Sequence, residues 1–368
     1  MKILYLITGL GMGGAERQVC DLADHFASQG DEVMIIYLTG PAIVTPTHPS
    51  IHIRGMAMAK TPWSLLSTYG RLRKLITAFA PDVLHSHMVH ANLFARFLRF
   101  CTPIPRLICT AHSVNEGGAL RMLLYRLTDP LADLSTNVSR KAVEAFIQKG
   151  AAPEGRMIPF YNGISTQNFF FDEEARHQWR EEGGAVETSL VILCVGRLVP
   201  EKGYTTMIEA FATLHRHHPH ALLWIVGDGP QHTTLQEQCH DLAITDAVTF
   251  WGIRRDVPAL MSACDIFCLP SHYEGFGLVV AEAMACERYV VATDCGGVAE
   301  VVGDHGRLVP PQDPTALALA LIDTADLSTQ EREVTGHLAR RLIIDTYDLA
   351  TLATQWRTLY TTPDKGTS

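Results

Sequence analysis

The sequence lacks the long apolar runs, the paired cysteines and the repeats that mark several large classes of protein. No window of the 368 residues approaches about 18 consecutive apolar residues, so no transmembrane helix is predicted. The nine cysteines form no C-x-x-C pair, which is typical of buried thiols in a reducing cytoplasm. Only 19% of the residues are charged and 47% are apolar, so the chain is expected to fold throughout, with apolar material for two cores.

Charge is distributed unevenly along the chain. Residues 1–165 hold 16 Lys and Arg against 11 Asp and Glu, a balance of +5, whereas the remainder holds 14 against 28, a balance of −14. Two domains that differ only in surface charge would give this pattern. A first half that faces an anionic surface would give it as well.

Strand-like runs alternate with helix-like runs in both halves of the sequence. Several of the strand-like runs are continuously apolar, which is typical of parallel strands covered on both faces. The predicted class is therefore α/β, with one such domain in each half. The Asn162-Gly163 turn signal places the boundary at about residue 165, giving domains 1–165 and 166–346. The ten predicted strands are KILYLIT, EVMIIYL, DVLHSH, RLICTAH, LSTNVS, LVILCVG, ALLWIVG, VTFWG, DIFCLP and YVVAT.

The segment SHYEGFGLVVAEAMA, residues 271–285, combines a glycine loop, a predicted helix and two carboxylates. The buried strand DIFCLP precedes it, and the order strand, glycine loop, helix aims backbone N–H groups at a phosphate. Glu274 stands in the loop, and Glu282 is placed about one turn into the helix, leaning toward its N-terminus. Carboxylates can accept hydrogen bonds from hydroxyl groups, so the segment indicates a nucleotide sugar. A buried, capped or salt-bridged glutamate is the alternative for Glu282.

Two further loops carry residues suited to a phosphate ligand. The loop GRLVPEKG, residues 196–203, places Arg197 and Lys202 at the carboxyl end of a strand, where two cations can neutralise a diphosphate without a metal. The run GLGMGG, residues 9–14, fits the dinucleotide pattern, but the second strand ends in IYLTG without an acid for ribose hydroxyls, which disfavours an NAD-dependent oxidoreductase. Gly13 and Gly14 would permit close approach of a phosphate or sugar, or form only a tight turn.

Three other turns are candidates for the same site. Gly227 begins the turn GDGP, Gly296 and Gly297 could add amide donors, and Trp251-Gly252-Ile253 could frame a base.

Four histidines, at positions 85, 87, 90 and 112, raise the question of a metal site. We place His85 and His87 on opposite faces of their strand, where they could not easily ligate one ion. No carboxylate stands at ligand spacing beside them, so zinc is disfavoured and no metal is expected. His112, at the end of the strand RLICTAH, is predicted to meet a substrate hydroxyl.

Together these motifs resemble the family-4 glycosyltransferases of the GT-B type. The resemblance runs from Gly9 to about Asp313. It is carried by Gly-Gly-Ala-Glu-Arg at 13–17, His-Ser-His at 85–87, Thr-Ala-His-Ser at 110–113, Asn-Val-Ser at 137–139, Asn-Gly-Ile at 162–164, Gly196-Arg197 with Lys202-Gly203, Gly-Asp-Gly-Pro at 227–230, and Glu274-Gly275-Phe276-Gly277 through Glu282-Ala283-Met284. It departs at Glu287 and Tyr289, where the family usually has glycine and proline.

The resemblance implies two Rossmann-like, doubly wound parallel-sheet domains facing a central cleft, and transfer with retention at the anomeric carbon. In such an enzyme Glu282 would hold the ribose, Arg197 and Lys202 the diphosphate, and Glu274 the donor sugar, with His112 near its reactive face. A terminal helix within about 347–368 would cross back onto the first domain. The donor-binding set would be Gly13, Gly14, Arg197, Lys202, Gly227, Ile253, Glu274, Gly275, Phe276, Gly277, Leu278 and Glu282, with Glu274, His112, Arg197 and Lys202 catalytic.

The resulting hypothesis is a retaining transferase that moves a hexosyl or N-acetylhexosaminyl group from a UDP-sugar to a lipid-linked glycan in envelope polysaccharide synthesis, such as lipopolysaccharide O-antigen or capsule. The alternatives are a sugar phosphorylase or nucleotide-sugar epimerase of the same fold, and a non-catalytic nucleotide-sugar-binding protein. No cofactor, metal or nucleic-acid partner is expected.

A peripheral location on the cytoplasmic face of the inner membrane is also expected, through contact with anionic lipid. Two segments of the first domain mix basic and aromatic side chains. The first segment is 63–79, with Arg71, Arg73 and Lys74, and the second is 92–100, with Phe94, Arg96, Phe97 and Arg99. Two ordinary helices with apolar faces in the core are the alternative.

Overall fold

The computed structural model describes residues 1–114, 117–186 and 188–362, and the chain divides into two compact units. The first unit comprises Met1–Gly163 together with the chain from Leu349, and the second is Ile164–Asp348. The chain thus passes between the units at 163/164 and at 348/349, against an expected boundary at 165 and an expected return from about 347. Within the described residues no helix is both long and apolar enough to cross a membrane.

The first unit is built on a seven-stranded sheet in which all neighbouring strands are parallel. The strand order is β3-β2-β1-β4-β5-β6-β7, so the direction of winding reverses between β1 and β4. The strands are β1 Lys2–Ile7, β2 Glu32–Tyr37, β3 His52–Gly55, β4 Val83–His87, β5 Leu107–Ala111, β6 Leu134–Asn137 and β7 Met157–Pro159.

In the described part of the first unit five α-helices connect these strands, and apolar clusters pack on both faces of the sheet. The helices form where apolar residues recur at helical spacing and where capping residues begin them. Thr61 and Ser139 accept hydrogen bonds from the backbone N–H groups of Ser64 and Ala142 and so cap two of the helices. The helices are α1 Gly14–Ser28, α2 Pro62–Phe79, α3 Val89–Leu98, α4 Ala119–Thr128 and α5 Arg140–Gln148.

The second unit has a six-stranded parallel sheet of order β10-β9-β8-β11-β12-β13, whose winding reverses between β8 and β11. Helices α7 and α12 pack together over one face with a continuous apolar core. The strands are β8 Leu190–Val195, β9 Ala221–Val226, β10 Val248–Gly252, β11 Ile266–Leu269, β12 Tyr289–Thr293 and β13 Gly306–Val309. The helices are α6 Glu173–Glu182, α7 Tyr204–His217, α8 His232–Asp241, α9 Val257–Ala263, α10 Leu278–Ala285, α11 Val298–Val302, α12 Pro314–Ala325 and α13 Thr329–Tyr347.

The last helix, α14 Leu349–Thr361, belongs to the first unit and packs against α1. Trp356 and Tyr360 of this helix are buried in the first unit's core. The Tyr360 hydroxyl lies 3.2 Å from the Tyr5 hydroxyl and 2.7 Å from Nδ1 of His85. Arg357 pairs with Asp31, which also binds the N-terminal amine. Helix α14 is therefore part of the first unit's core and not an appendage.

The structure confirms the predicted α/β class and all ten predicted strands. It adds β3, β7 and β13, and each of these lies at an edge of its sheet. They are four, three and four residues long, and most of their side chains are not buried. Edge strands of this kind carry no continuous apolar run, so the pattern used for the other strands does not detect them.

Glu287, where the family usually has glycine, takes the left-handed backbone conformation that glycine adopts easily, with φ of +62°. Its carboxylate lies 3.0 Å from Nδ1 of His337 and 3.8 Å from Nε of Arg340, both on α13. The turn from α10 to β12 therefore forms without the glycine, and the side chain that replaces it binds a neighbouring helix.

Arg96, assigned to a membrane-facing segment, is a core residue with 0% exposure, so that assignment is wrong. Its guanidinium donates to the carbonyl of Tyr125, to Thr128 and to Ser135, and lies 3.6 Å from Asp129. A buried cation needs such partners to offset its lost hydration. Arg96 therefore links α3 to the region around β6 and cannot contact lipid.

Candidate functional site

The loops that follow β8 and β11 lie side by side at the carboxyl edge of the second unit's sheet. These strands are neighbours at the point where the winding reverses, which is where open α/β sheets bind their ligands. The backbone N–H of His272 donates to the carbonyl of Glu201 at 2.8 Å, and this bond joins the two loops directly. The sequence segments 196–203 and 271–285 therefore meet at one site.

Lys202 and Glu274 form an ion pair across these two loops, with Nζ 2.5 Å from Oε1. The hydroxyl of Ser271, a residue that the sequence argument did not select, donates to the same carboxylate oxygen at 2.8 Å. An ammonium group has three N–H donors, so the pair leaves Lys202 able to bind a further anion. The two residues predicted for the diphosphate and the donor sugar are thus adjacent, although their roles stay predictions.

Two glycines hold this pair of loops in close contact. Gly203, with φ of +66°, is the N-cap of α7 directly after Lys202, and a Cβ there would overlap the carbonyl oxygen of Pro270. Gly296, with φ of +55°, lies so close to Glu274 that a Cβ would overlap its carbonyl oxygen. Both positions need glycine for its backbone conformation and for its lack of a side chain. The two glycines therefore fix the backbone positions from which the Lys202 and Glu274 side chains extend.

The helix α10 follows this loop and carries Glu282 as its fifth residue. Glu282 is 7% exposed. Side chains of a helix generally lean toward its N-terminus, and the contact of Glu282 with a ligand near Gly277 stays a prediction. Gly277 is the N-cap, with φ of +87°, and Leu278 is the first helical residue. The Phe276 ring, in contrast, is buried edge-on against Tyr347 at 5.5 Å, so only its backbone can contribute to the predicted donor site.

The remaining second-unit candidates surround the same sheet edge. Arg197 is exposed, and its side chain makes no hydrogen bond or ion pair with the part of the chain that the structure describes, while its carbonyl accepts from the N–H of Val199 at 2.9 Å. Gly227 follows β9 and donates to the carbonyl of Gly252 at 2.8 Å, while the exposed Ile253 follows β10. The carbonyl of Gly275 accepts from Gly297 at 3.2 Å. None of these positions conflicts with the predicted donor contacts, and none tests them.

A buried cysteine, Cys295, lies directly before Gly296 and is held as a thiol. Burial raises the pKa of Cys295 to about 11, and its sulfur lies 3.5 Å from Oγ1 of Thr293. A thiolate is the nucleophilic form of cysteine, so this side chain is inert near neutral pH. Covalent catalysis by Cys295 is therefore disfavoured.

The first unit's candidates follow β1 and β5, on the two sides of the corresponding reversal between β1 and β4. Gly13 is the exposed N-cap of α1 and Gly14 is its first residue. His112 follows β5, and its Nε2 lies 2.9 Å from Nδ1 of His87. Burial lowers the pKa of His112 to about 3 and also lowers the pKa values of His85 and His87, so these imidazoles are neutral near pH 7.

The prediction that His85 and His87 lie on opposite faces of their strand is wrong. Successive side chains alternate, so residues two apart share a face, and their ring centroids are 4.0 Å apart. His85 is engaged on both nitrogens, with Tyr360 at 2.7 Å from Nδ1 and Thr110 at 2.7 Å from Nε2. Among the described residues no group of three or more His, Cys, Asp or Glu is arranged to hold a metal ion.

Comparison with known proteins assigns both units. Residues 12–168 match the family model described as Glycosyltransferase Family 4, and residues 175–347 match that described as Glycosyl transferases group 1. The chain is 30% identical over 403 residues to a glycogen synthase of Mycobacterium tuberculosis, covering 96% of this chain and 92% of the relative. It is 32% identical over 270 residues to a GDP-mannose-dependent alpha-(1-6)-phosphatidylinositol monomannoside mannosyltransferase of Mycolicibacterium smegmatis, covering 69% and 67%.

Solved structures agree on the fold. The crystal structure of Anabaena HepE in complex with UDP-glucose matches 98% of this chain and 100% of its own, with a TM-score of 0.85 and 24% identity. That likeness extends over both parallel-sheet units, and the sequence relatives are named for glycosyl transfer. The chain therefore belongs to the family-4 glycosyltransferases with the GT-B fold, as its motifs indicated, and it is a glycosyltransferase.

Proposed function

We propose that this enzyme transfers a hexosyl or N-acetylhexosaminyl group from a UDP-sugar to a lipid-linked glycan acceptor of envelope polysaccharide synthesis, with retention at the anomeric carbon. The bond from the anomeric carbon to the β-phosphate oxygen breaks, and a bond to the acceptor hydroxyl oxygen forms. The hydroxyl proton passes to the departing diphosphate. Such a front-face displacement needs no protein nucleophile, in keeping with the inert thiol of Cys295.

The observation that carries the proposal is the Lys202–Glu274 pair at the sheet reversal of the second unit. Lys202 would stabilise negative charge on the diphosphate as it leaves, together with Arg197 and the N-terminal amides of α10. Glu274 would accept a hydrogen bond from a sugar hydroxyl, and Glu282 would accept from the ribose. In this assignment the cations bind phosphate groups and the carboxylates bind hydroxyl groups. A nucleotide sugar presents both kinds of group.

The relatives differ in their nucleotides, and therefore the base is the first point to test. One relative is named for GDP-mannose, and one structural neighbour was crystallised with UDP-glucose. We expect UDP at about 100 times its Kd to stabilise the protein by about 2.7 kcal/mol and to raise its melting temperature, with smaller shifts from GDP, ADP and NAD. A larger shift with GDP would contradict the UDP assignment. Conversion of a UDP-sugar to another UDP-sugar without any acceptor would instead favour the epimerase alternative, and cleavage of a glycoside by inorganic phosphate the phosphorylase.

We further propose that no metal ion takes part, because cationic side chains are present to neutralise the diphosphate. Activity with a UDP-sugar should then be the same, within a factor of about two, before and after EDTA treatment. The matched control is a chelated sample resupplied with Mg²⁺ or Mn²⁺, which should show no gain. Loss on chelation that either ion restores would contradict metal independence while leaving the donor assignment intact.

A lipid-linked acceptor implies contact with a membrane surface, and the first unit exposes apolar side chains suited to it. Trp63 is 81% exposed at the start of α2, and the same helix carries the exposed residues Arg73 and Lys74. Helix α4, which the sequence argument did not select, bears a stripe of exposed leucines at helical spacing, namely Leu120, Leu123 and Leu127. These features support peripheral binding at the cytoplasmic face of the inner membrane, by weak electrostatic attraction plus shallow insertion.

Vesicle sedimentation should show binding to anionic liposomes that weakens at high salt, and little binding to neutral ones. Replacing Arg73 and Lys74 together with serine should weaken binding by about 10- to 30-fold, because each basic residue contributes about 1 kcal/mol near an anionic surface. The matched control replaces Arg216 and Arg341, exposed basic residues of the second unit, and should bind as the wild type does. A wild-type protein that ignores anionic vesicles at low salt would exclude membrane contact.

A further inference from the structure

Ser271 is a buried serine whose hydroxyl contacts a candidate site carboxylate within the second unit. It is 0% exposed, and its Oγ donates to Oε1 of Glu274 at 2.8 Å. Both residues belong to the loop between β11 and α10, so the contact lies wholly inside one unit. A side chain so enclosed does not touch a ligand itself. Any effect of Ser271 on the reaction therefore passes through Glu274.

The backbone of Ser271 is fixed from two sides. Its carbonyl accepts a hydrogen bond from Oγ1 of Thr293, the last residue of β12, which is 1% exposed. The residue before it, Pro270, lies so close to Gly203 that a Cβ at the glycine would overlap the proline carbonyl. A short side chain on a backbone held in this way can keep a third group in a defined orientation.

The two carboxylate oxygens of Glu274 differ in their partners. Oε1 accepts from the Ser271 hydroxyl at 2.8 Å and from Nζ of Lys202 at 2.5 Å. Oε2 makes no hydrogen bond or ion pair with the residues that the structure describes, and 13% of the side chain is exposed. An ionised carboxylate has about two acceptor positions on each oxygen. Protein donors therefore occupy Oε1, and Oε2 is the oxygen left for a ligand.

Lys202 alone would not distinguish these two oxygens. Its ammonium group is a point charge with three equivalent donors on a flexible stem, and it attracts both oxygens of a carboxylate. The serine hydroxyl sits on a short, buried side chain and bonds only the oxygen within its reach. The Ser271 contact is thus the one that sets which way the Glu274 carboxylate faces.

We propose that Ser271 is a positioning residue, which fixes Oε1 of Glu274 and so leaves Oε2 as the acceptor for a hydroxyl of the donor sugar. This inference rests on the proposed function, in which Glu274 contacts that sugar. Because Glu274 is assigned to the sugar and not to the nucleotide, Ser271 influences how the sugar is held and leaves nucleotide binding unchanged.

A double-mutant cycle tests whether Ser271 acts through Glu274. Ser271→Ala should lower kcat/KM by about 5- to 20-fold, the effect of losing one hydrogen bond to a charged group. In the Glu274→Ala background the same substitution should change kcat/KM by less than about twofold, because the carboxylate that it orients is gone. An equal loss in both backgrounds, or no loss in the wild-type background, would overturn the proposal.

Ser262→Ala is the matched control for the loss of a buried hydroxyl. Ser262 is also 0% exposed and lies in the second unit, but its hydroxyl bonds only to backbone groups of residues 170, 172 and 258. This variant should lower the melting temperature and leave kcat/KM unchanged. A fall in kcat/KM as large as that of Ser271→Ala would mean that general loosening of the unit explains both, and would overturn the proposal.

Calorimetric titration separates the sugar contact from the nucleotide contact. In Ser271→Ala the Kd of UDP should stay within about twofold of the wild type, whereas the Kd of the UDP-sugar that supports transfer should rise by about 5-fold or more. Equal weakening of both ligands would overturn the proposal. If the wild type instead uses a GDP-sugar, the proposed donor is wrong, and the same titration with GDP and that sugar nucleotide still decides the role of Ser271.

A crystal structure of the wild-type enzyme with its sugar nucleotide provides a test that needs no folded variant. We expect the Ser271 hydroxyl on one carboxylate oxygen of Glu274 and a sugar hydroxyl on the other. A sugar hydroxyl on the same oxygen as Ser271, or a Ser271 hydroxyl turned away from Glu274, would overturn the proposal.

Discussion

Replacing Lys202 with alanine is expected to lower kcat by about 30-fold or more, because one charge-assisted contact to the leaving diphosphate is worth about 2–3 kcal/mol. The negative charge on the diphosphate grows as the sugar departs, so the contact strengthens in the transition state. The loss should therefore fall on kcat more than on KM. Steady-state kinetics with the donor sugar identified by the nucleotide screen would measure it.

Two controls separate this effect from a general loss of stability. Lys202→Arg keeps a cation opposite Glu274 and should retain more activity than the alanine variant. Arg216→Ala removes an exposed charge from the same unit, on α7, and should leave the kinetics unchanged. Near wild-type turnover in Lys202→Ala would remove this residue from the donor site and with it the main support for the proposed leaving-group chemistry.

Replacing Gly296 with alanine is expected to destabilise the second unit by about 2–5 kcal/mol. The left-handed backbone conformation costs an alanine about 1–2 kcal/mol, and forcing the Glu274 carbonyl aside adds about 1–3 kcal/mol. For a unit of this size that corresponds to a fall in melting temperature of roughly 5–15 °C. Displacement of Glu274 should also lower activity in the protein that remains folded.

Gly184→Ala is the matched control for this variant. Gly184 lies in the same unit with φ of +69°, but no atom lies within 4 Å of the position that its Cβ would take. It should show only the conformational cost of about 1–2 kcal/mol. Equal melting temperatures for the two variants would mean that the loop after β11 moves aside without loss of stability. The contact between Gly296 and Glu274 would then not fix the site.

Nine of the ten strands that pattern alone located lie inside their sheets, and the edge strand β10 is the exception. β1, β8 and β11 lie inside their sheets and read as continuous apolar runs, because both of their faces are packed. β3 and β13 lie at sheet edges, and the sequences HIRG and GRLV contain too few apolar residues to stand out. Their strand character comes from hydrogen bonding to a neighbour, which is a long-range property that local sequence does not encode.

The sequence could predict that the two candidate loops lie at the same sheet edge, but not the contacts between them. Lys202 and Glu274 each follow a strand, and the rule that ligands bind beyond the carboxyl ends of strands brought their loops together on sequence grounds. Their direct pairing, and the help of Ser271, depend on the neighbour relation of β8 and β11, which the sequence does not state. The burial of Arg96 could not be predicted from its residue type, because an arginine is equally suited to a surface and to a buried network with Asp129.

The return of α14 to the first unit sets an order of assembly during synthesis. The second unit is one continuous stretch, 164–348, and its chain is complete before α14 is made. The first unit, although its chain is made before that of the second, lacks Trp356 and Tyr360 beside Phe160 and Tyr5 until α14 leaves the ribosome. Domains usually mature from the N-terminus onward as they emerge. Here that order is inverted, because the first unit cannot complete its apolar core until α14 has been synthesised, after the whole of the second unit.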